Sequence, residues 1–107
     1  MARMTKPWTT VAGADGVTWD SLMAGEGWSP LRILRLRAFA GAIVGLPGAL
    51  PRDQFGPLLG TSERSLCRWE DADAEPLMVP GPIYRKAFAS YARDHLNDEQ
   101  RLQLLQI

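Results

Sequence analysis

The sequence predicts an all-α protein in which five helices follow an irregular N-terminal arm. The chain has 107 residues, a length that suits a single domain. Its ten glycines and eight prolines break it into short elements and disfavour long strands or a coiled coil. From residue 30 onward, apolar side chains recur every three or four residues, which is the spacing of one helix face. With 46% hydrophobic and 22% charged residues, the chain is expected to fold.

Residues 1–29 are predicted to form an arm or a small accessory unit, and residues 30–107 to form the main domain. Within the arm, the sequence Gly-Ala-Asp-Gly at 13–16 is typical of a turn, and it predicts a marginal β-hairpin. The apolar residues that flank this turn are Trp8, Val11, Val17 and Trp19.

The first helix of the main domain is predicted to begin after Ser29 and to end near Gly45. Ser29 is a favourable N-cap, and the proline that follows it suits the first helical position. One apolar face is expected to be buried, formed by Ile33, Leu36, Ala40 and Ile43.

Two short helices are predicted next, separated by the sequence Gly-Thr-Ser. Pro51 opens the first of them, Gly60 ends it, and Pro57 inside it predicts a kink or a partly 3₁₀ helix. The second runs over residues 63–70 and is capped by Thr61 or Ser62. The side chains expected in the core are Phe55, Leu58, Leu66 and Trp69. Together these elements form a helix-turn-helix pattern.

Two further helices complete the predicted fold. The fourth covers residues 83–94 and is expected to bury Ile83, Ala87, Phe88 and Tyr91. The fifth begins at Asn97, where Gln100 three residues later indicates a capping box. Its apolar side chains are expected to be covered, and they are Leu102, Leu104, Leu105 and Ile107.

The net charge is zero, with twelve basic and twelve acidic residues, but the charges are segregated along the chain. Residues 30–70 hold six arginines against three acidic residues, a net charge of +3. Residues 71–75 hold Asp71, Asp73 and Glu75 and no basic residue. Residues 30–70 are therefore the only basic block, and an acidic stretch follows it directly.

The composition excludes several classes of function. One cysteine, Cys67, and one histidine, His95, cannot supply a zinc site, and no partner for nucleophilic catalysis is recognisable. We therefore predict neither an enzyme nor a metal or cofactor site, with Cys67 an inert thiol at or near the surface and His95 near a helix end. The longest charge-free stretch, residues 38–51, is too short and too interrupted for a membrane helix. We expect a cytoplasmic protein without membrane contact.

The middle of the chain resembles the lambda-repressor-like, Xre-type helix-turn-helix family. The resemblance lies in RILRLR at 32–37, LPRDQFGPLLG at 50–60 and TSERSLCRWE at 61–70, and in the downstream Pro76. It implies a five-helix lambda-repressor-like helix-turn-helix domain and a sequence-specific DNA-binding transcriptional regulator, a repressor. Helix 63–70 would read the major groove, and a homodimer would bind two half-sites about one helical turn apart.

Six residues of this region are predicted to contact double-stranded DNA: Arg52, Ser62, Glu63, Arg64, Ser65 and Arg68. Arg64 and Arg68 lie one turn apart, and each guanidinium can bond guanine in two places. Ser62 and Ser65 suit phosphate or sugar, and Glu63 suits cytosine N4. In this family the residue at Arg52 touches the DNA backbone or supports the recognition helix. The structural alternatives are solvated arginines, a helix cap at Ser62 and a dipole contact at Glu63.

Two departures from the family pattern suggest further roles. Twelve residues separate Arg37 from Leu50, so the first helix is expected to be about two turns longer than usual. This extension, or the apolar helix 97–107, is the candidate dimer surface, unless both complete the core of the monomer. The acidic residues 71–75 would repel phosphates and weaken DNA binding.

The alternative function is a protein-interaction module on the same scaffold, such as an antitoxin or an inhibitor of a nucleic-acid enzyme. It would engage its partner through the acidic stretch or through Trp8, Trp19 or Trp28.

Overall fold

The computed structural model describes residues 6–107 and shows an all-helical protein. Over these residues there are six α-helices and one short 3₁₀ helix, Pro7–Thr9. The α-helices are α1 (Trp19–Met23), α2 (Pro30–Ile43), α3 (Arg52–Leu59), α4 (Glu63–Trp69), α5 (Pro82–His95) and α6 (Asp98–Leu105). The predicted turn at 13–16 forms, but within the part described the marginal hairpin is reduced to one isolated antiparallel bridge between Ala12 and Thr18, without strands. The chain after this bridge turns directly into α1, which the sequence analysis did not predict.

α2 begins as predicted, because the Ser29 Oγ accepts a hydrogen bond from the N–H of Arg32 at 3.3 Å. It ends at Ile43, two residues before Gly45. The predicted burial of Ile43 is wrong, since 41% of this residue is exposed. The returning chain covers α2 at Gly41 instead, and so it leaves Ile43 outside the core.

α3 and α4 have the predicted bounds to within one residue. α3 is α-helical throughout, so Pro57 causes no 3₁₀ segment. The carbonyl that loses its usual partner belongs to Asp53, an exposed residue where solvent can satisfy it. The prediction of Leu58 as a core residue is wrong, because it is 62% exposed. The buried face of α3 is formed by Phe55, Gly56 and Leu59.

α5 and α6 close the other side of the core. α5 starts one residue earlier than predicted, and Ile83 is 79% exposed rather than buried. The side chain of its first turn that meets the core is Tyr84, which packs against Trp69. α6 has the predicted capping box, in which Asn97 and Gln100 each bind the backbone N–H of the other at 3.0 Å or less. Leu104 and Leu105 are fully buried, so this helix contributes to the core of the monomer.

The N-terminal residues pack onto the same core as the helices that follow. Trp19, Leu22 and Trp28 belong to the central hydrophobic cluster. The Trp8 ring lies 5.0 Å from the Trp19 ring, and the Arg101 guanidinium covers both rings at 4.7 and 5.2 Å. Trp19 and Trp28 are therefore not available as the exposed anchors of a partner surface.

A buried arginine joins the N-terminal residues to both α2 and α6. Arg32 has no exposed surface, and its guanidinium pairs with Asp15 at 2.7 Å. The same side chain donates to the carbonyls of Gly27 and Leu104, each at 2.9 Å. The hydrogen bond from Arg32 lowers the pKa of the Asp15 carboxyl below its usual value.

Cys67 is an exposed free thiol, and His95 is the last residue of α5, as predicted for both. No helix over residues 6–107 has the length and the apolar character needed to cross a membrane.

Candidate nucleic-acid interface

The candidate interface is the outer face of α4. Glu63, Arg64, Cys67 and Arg68 are all exposed on this helix. Leu66 and Trp69 point the opposite way and are buried. α4 is therefore a surface helix with one fixed apolar side and one open polar side, as its sequence predicts.

Arg64 and Arg68 lie one helical turn apart on the open side. Across residues 6–107 neither guanidinium takes part in an ion pair. Both side chains are thus exposed, and within the described residues neither is held in a salt bridge. Two such groups at this spacing suit a polyanion or the edges of adjacent bases.

Ser62 and Ser65 cap and stabilise the first turn of α4. The Ser62 Oγ accepts from the N–H of Ser65 at 3.1 Å, and the two hydroxyl groups also lie 3.1 Å apart. Ser62 is therefore the N-cap, as predicted. It remains exposed, as does Glu63, whose carboxylate lies at the positive end of the helix dipole.

The inner side of α4 is anchored by aromatic packing. The Trp69 ring lies 5.1 Å from the Tyr84 ring and 6.0 Å from the Phe88 ring, and both partners belong to α5. Leu66 is fully buried one turn earlier. These contacts fix the rotation of α4 about its own axis, so the two exposed arginines are held on the outside.

A close approach of the backbone sets the angle between α3 and α4. The N–H of Thr61 donates to the carbonyl of Gly56 at 2.9 Å. A Cβ atom at position 56 would lie only 2.7 Å from the Thr61 carbonyl oxygen. Gly60, between the two helices, has a φ of 74°, which is typical of a helix-ending glycine. The turn therefore favours glycine at two positions for different reasons: lack of space at Gly56 and a left-handed backbone at Gly60.

A buried carboxylate ties the C-terminal end of α4 to two other helices. Glu70, whose side chain is 2% exposed, accepts two hydrogen bonds from Arg37 of α2, both at 2.8 Å. Arg52, at the start of α3, adds a further contact at 3.1 Å. The guanidinium of Arg52 thus supports α4, which is one of the two roles that the resemblance implied. Its contact with DNA stays a prediction.

No pattern in the sequence predicts this cluster. Arg37 and Glu70 lie 33 residues apart, and Arg52 and Glu70 lie 18 apart, so no local spacing pattern joins them. The exposed surface is also less basic than the count of six arginines indicated. Arg32 and Arg37 are buried and Arg52 is paired, so three arginines of this block have no ion pair within the described residues: Arg35 on α2, and Arg64 and Arg68 on α4.

An exposed acidic turn follows α4. Asp71, Asp73 and Glu75 are all exposed, and the Asp71 carboxylate accepts from the N–H of Asp73 at 3.0 Å. Since these carboxylates follow the C-terminal end of α4, they repel a phosphate that approaches that end more than one at the Ser62 end.

A concave feature of the surface also lies away from α4. A pocket of about 430 Å³ lies beside the loop of residues 25–29, with Arg85 in its wall. The Arg85 guanidinium already donates to the carbonyls of Gly25 and Pro80, at 2.8 and 2.7 Å. The residues described contain no group of three potential metal ligands.

Comparison with protein-family models, with curated proteins and with solved structures found no match for this chain. The resemblance to the lambda-repressor-like family therefore rests on the sequence motifs at residues 32–37 and 50–70 and on Pro76.

Proposed function

We propose that this protein is a sequence-specific DNA-binding transcriptional regulator, a repressor, that reads the major groove with α4. The observation that carries the proposal is the pair Arg64 and Arg68, exposed and one turn apart on a helix whose opposite side is locked into the core. A helix of this kind fits the major groove of B-DNA, and its side chains can then reach base edges.

The arrangement of α3 and α4 supports this proposal. Both are short, three residues separate them, and the close backbone approach at Gly56 holds them at a fixed angle. We infer a five-helix lambda-repressor-like domain formed by α2 to α6. In such a domain the first of the two short helices lies across the DNA backbone and the second enters the groove.

The residues of the interface then have distinct roles. Arg64 and Arg68 bond guanine O6 and N7, each at about 1–3 kcal/mol of discrimination. Ser62 and Ser65 contact phosphate or sugar, and Glu63 accepts from cytosine N4. Arg52 contacts the backbone on the side of its guanidinium that Glu70 leaves free.

A single copy of this interface is small and would bind DNA weakly. The acidic turn lowers its affinity for DNA further, because the carboxylates repel phosphates. We therefore propose that two copies bind together, as a homodimer on two half-sites about one helical turn apart.

The proposal is tested by titrating the protein with duplex DNA from immediately upstream of its own coding sequence, together with duplexes selected from a random pool. Binding should be sequence-dependent and should weaken by about tenfold or more between about 50 and 200 mM salt, because the Arg52 side chain of each copy neutralises a phosphate. Arg64→Ala and Arg68→Ala should each reduce specific binding by about 5- to 100-fold, which corresponds to the loss of one bidentate contact.

Lys86→Ala is the matched control, because it removes one positive charge from an exposed residue of a different helix, α5. It should leave specific binding within about twofold of the unchanged protein. If all three variants lost the same DNA affinity, binding would depend only on the net charge of the protein. That result would refute base recognition by α4.

A second candidate function is a protein-interaction module, such as an antitoxin or an inhibitor of a nucleic-acid enzyme. The observation that favours it is the exposed stretch 71–79, where three carboxylates precede the exposed apolar side chains of Leu77, Met78 and Val79. Acidic and apolar groups in one surface suit a basic protein partner. In that case Arg64→Ala would leave binding to the partner protein intact, whereas replacing Asp71 and Asp73 with asparagine would abolish that binding.

A further inference from the structure

The pocket beside the loop between α1 and α2 is large enough to hold a small molecule. Its volume of about 430 Å³ falls within the usual range of ligand pockets in proteins. Three separate parts of the chain line it: the turn at Asp15, residues 25–29, and the beginning of α5 with the segment before it. The lining residues described do not belong to α3 or α4, so the pocket is separate from the candidate nucleic-acid interface.

Arg85 brings a positive charge to the wall of this pocket. Its side chain is half-buried, and all carboxylate side chains of the sequence lie within the described residues, yet none of them pairs with Arg85. The carbonyls of Gly25 and Pro80 hold the guanidinium through Nε and Nη1, which leaves Nη2 without a hydrogen bond to the described residues. A guanidinium that is partly removed from water is stabilised by an anion, and its N–H groups match the geometry of a carboxylate.

Glu26 brings a negative charge to the same pocket. It is exposed, and within residues 6–107 its carboxylate forms no ion pair, not even with Arg85. The other carboxylate of the lining, that of Asp15, is already neutralised by Arg32 at 2.7 Å. Lys86 is exposed on α5, but it neither lines the pocket nor pairs with Glu26 among the residues described. The pocket therefore contains one positive and one negative group that do not satisfy each other.

The rest of the lining is mostly apolar side chains and backbone. Val79 is 70% exposed, and the buried Trp28 lies beside it in the lining. Gly25 and Gly27 contribute backbone only, and the Ser29 hydroxyl is already used as the N-cap of α2. An apolar group in the pocket would remove the Val79 side chain from water, which is favourable.

We propose that this pocket binds a free amino acid with an apolar side chain. The carboxylate of the ligand accepts hydrogen bonds from Arg85, its ammonium group faces Glu26, and its side chain covers Val79. A simple anion would be repelled by Glu26 and a simple cation by Arg85, so a molecule that carries both charges fits the pocket better than either. This site goes beyond the proposed function and does not depend on it.

The test is isothermal titration calorimetry of the unchanged protein with L-leucine and L-phenylalanine, and with analogues of each that lack either the ammonium or the carboxylate group. At least one of the two amino acids should bind with a dissociation constant of about 1 mM or less, as expected for a ligand of about ten non-hydrogen atoms. Loss of the carboxylate should weaken binding by about tenfold or more, because its hydrogen bonds to Arg85 are charge-assisted. Loss of the ammonium group should weaken it by about threefold or more, a smaller effect because Glu26 is exposed.

These analogues test the role of Arg85 without disturbing its hydrogen bonds to Gly25 and Pro80. Glu26→Gln then tests the negative group. It should weaken binding of the amino acid by about threefold or more. Binding of the analogue without the ammonium group should stay the same or become tighter, because that analogue no longer meets a like charge.

Glu99→Gln is the matched control, since Glu99 is also an exposed glutamate but lies on α6, outside the pocket. It should bind like the unchanged protein, and thermal unfolding should show both variants folded. The proposal would be overturned by no binding of either amino acid at about 10 mM, by an analogue that binds as tightly as its parent amino acid, or by equal losses in the two variants. None of these results depends on whether the protein binds DNA.

Discussion

Glu70 is the residue on which the position of the candidate recognition helix depends most directly. Its carboxylate is almost fully buried and faces two guanidinium groups, from Arg37 and Arg52. Removing one partner from a buried ion pair leaves an uncompensated charge, which costs more than the pair itself contributes.

We expect Glu70→Gln to lower the free energy of unfolding by about 3 kcal/mol, because Arg37 stays buried without its counter-charge. For a domain of this size the midpoint of thermal unfolding should fall by more than about 10 °C. Circular dichroism during heating measures this change.

Glu63→Gln is the matched control, since it is the same substitution at the exposed N-terminal end of the same helix. The expected cost is at most about 1 kcal/mol, from the weakened interaction with the helix dipole. Similar costs at the two positions would mean that the buried cluster does not hold α4 in place.

At the scale of the element, the turn between α3 and α4 depends on a glycine that a helix would normally disfavour. Alanine at position 56 would gain about 1 kcal/mol of helix propensity. It would also place its methyl group 2.7 Å from the Thr61 carbonyl, which is backbone and cannot move aside cheaply. Crowding of this kind costs about 1–3 kcal/mol, so the steric term should exceed the gain.

Gly56→Ala should therefore destabilise the fold by about 1 kcal/mol, as measured by urea unfolding. Because the two helices must separate, it should also weaken any binding that uses α4. Gly48→Ala is the control, since no atom lies within 4 Å of a Cβ there and its φ is not positive. It should change stability by less than about 0.5 kcal/mol. A Gly56→Ala protein as stable as the control would show that the turn tolerates a wider angle.

At the scale of the whole molecule, the N-terminal residues share one core with the helices that follow. Leu22 is fully buried, and Trp28 packs 5.5 Å from Phe88 of α5. Three side chains from this part, Trp19, Leu22 and Trp28, belong to the central cluster. Burying each contributes about 1.5–3 kcal/mol, so together they are comparable to the total stability of a small domain.

A chain of residues 30–107 should consequently lose cooperative thermal unfolding, and its near-ultraviolet circular dichroism should be lost as well. Leaving Arg32 buried without Asp15 adds to the loss. The intact chain under the same conditions is the comparison. Cooperative unfolding of the fragment at an unchanged midpoint would instead make residues 1–29 a separate accessory unit.

The sequence by itself determined where most helices begin and end. Ser29, Ser62 and Asn97 cap α2, α4 and α6 as predicted, and Gly60 ends α3, because each of these effects acts within one turn of chain. The inward face of α4 was also determined locally, by the spacing of Leu66 and Trp69. α1 was missed although Thr18 caps it by accepting from the N–H of Ser21, since five residues give too short an apolar pattern.

Only the tertiary structure decided which apolar side chains are buried and which arginines are neutralised by ion pairs. Ile43, Leu58 and Ile83 follow a helical apolar pattern as well as their buried neighbours do, but the chain that would cover them runs elsewhere. Arg32 and Arg37 have the same chemistry as Arg64 and Arg68, yet they are buried against carboxylates that are distant in sequence. Burial and ion pairing depend on contacts between remote parts of the chain, and local spacing carries no information about those contacts.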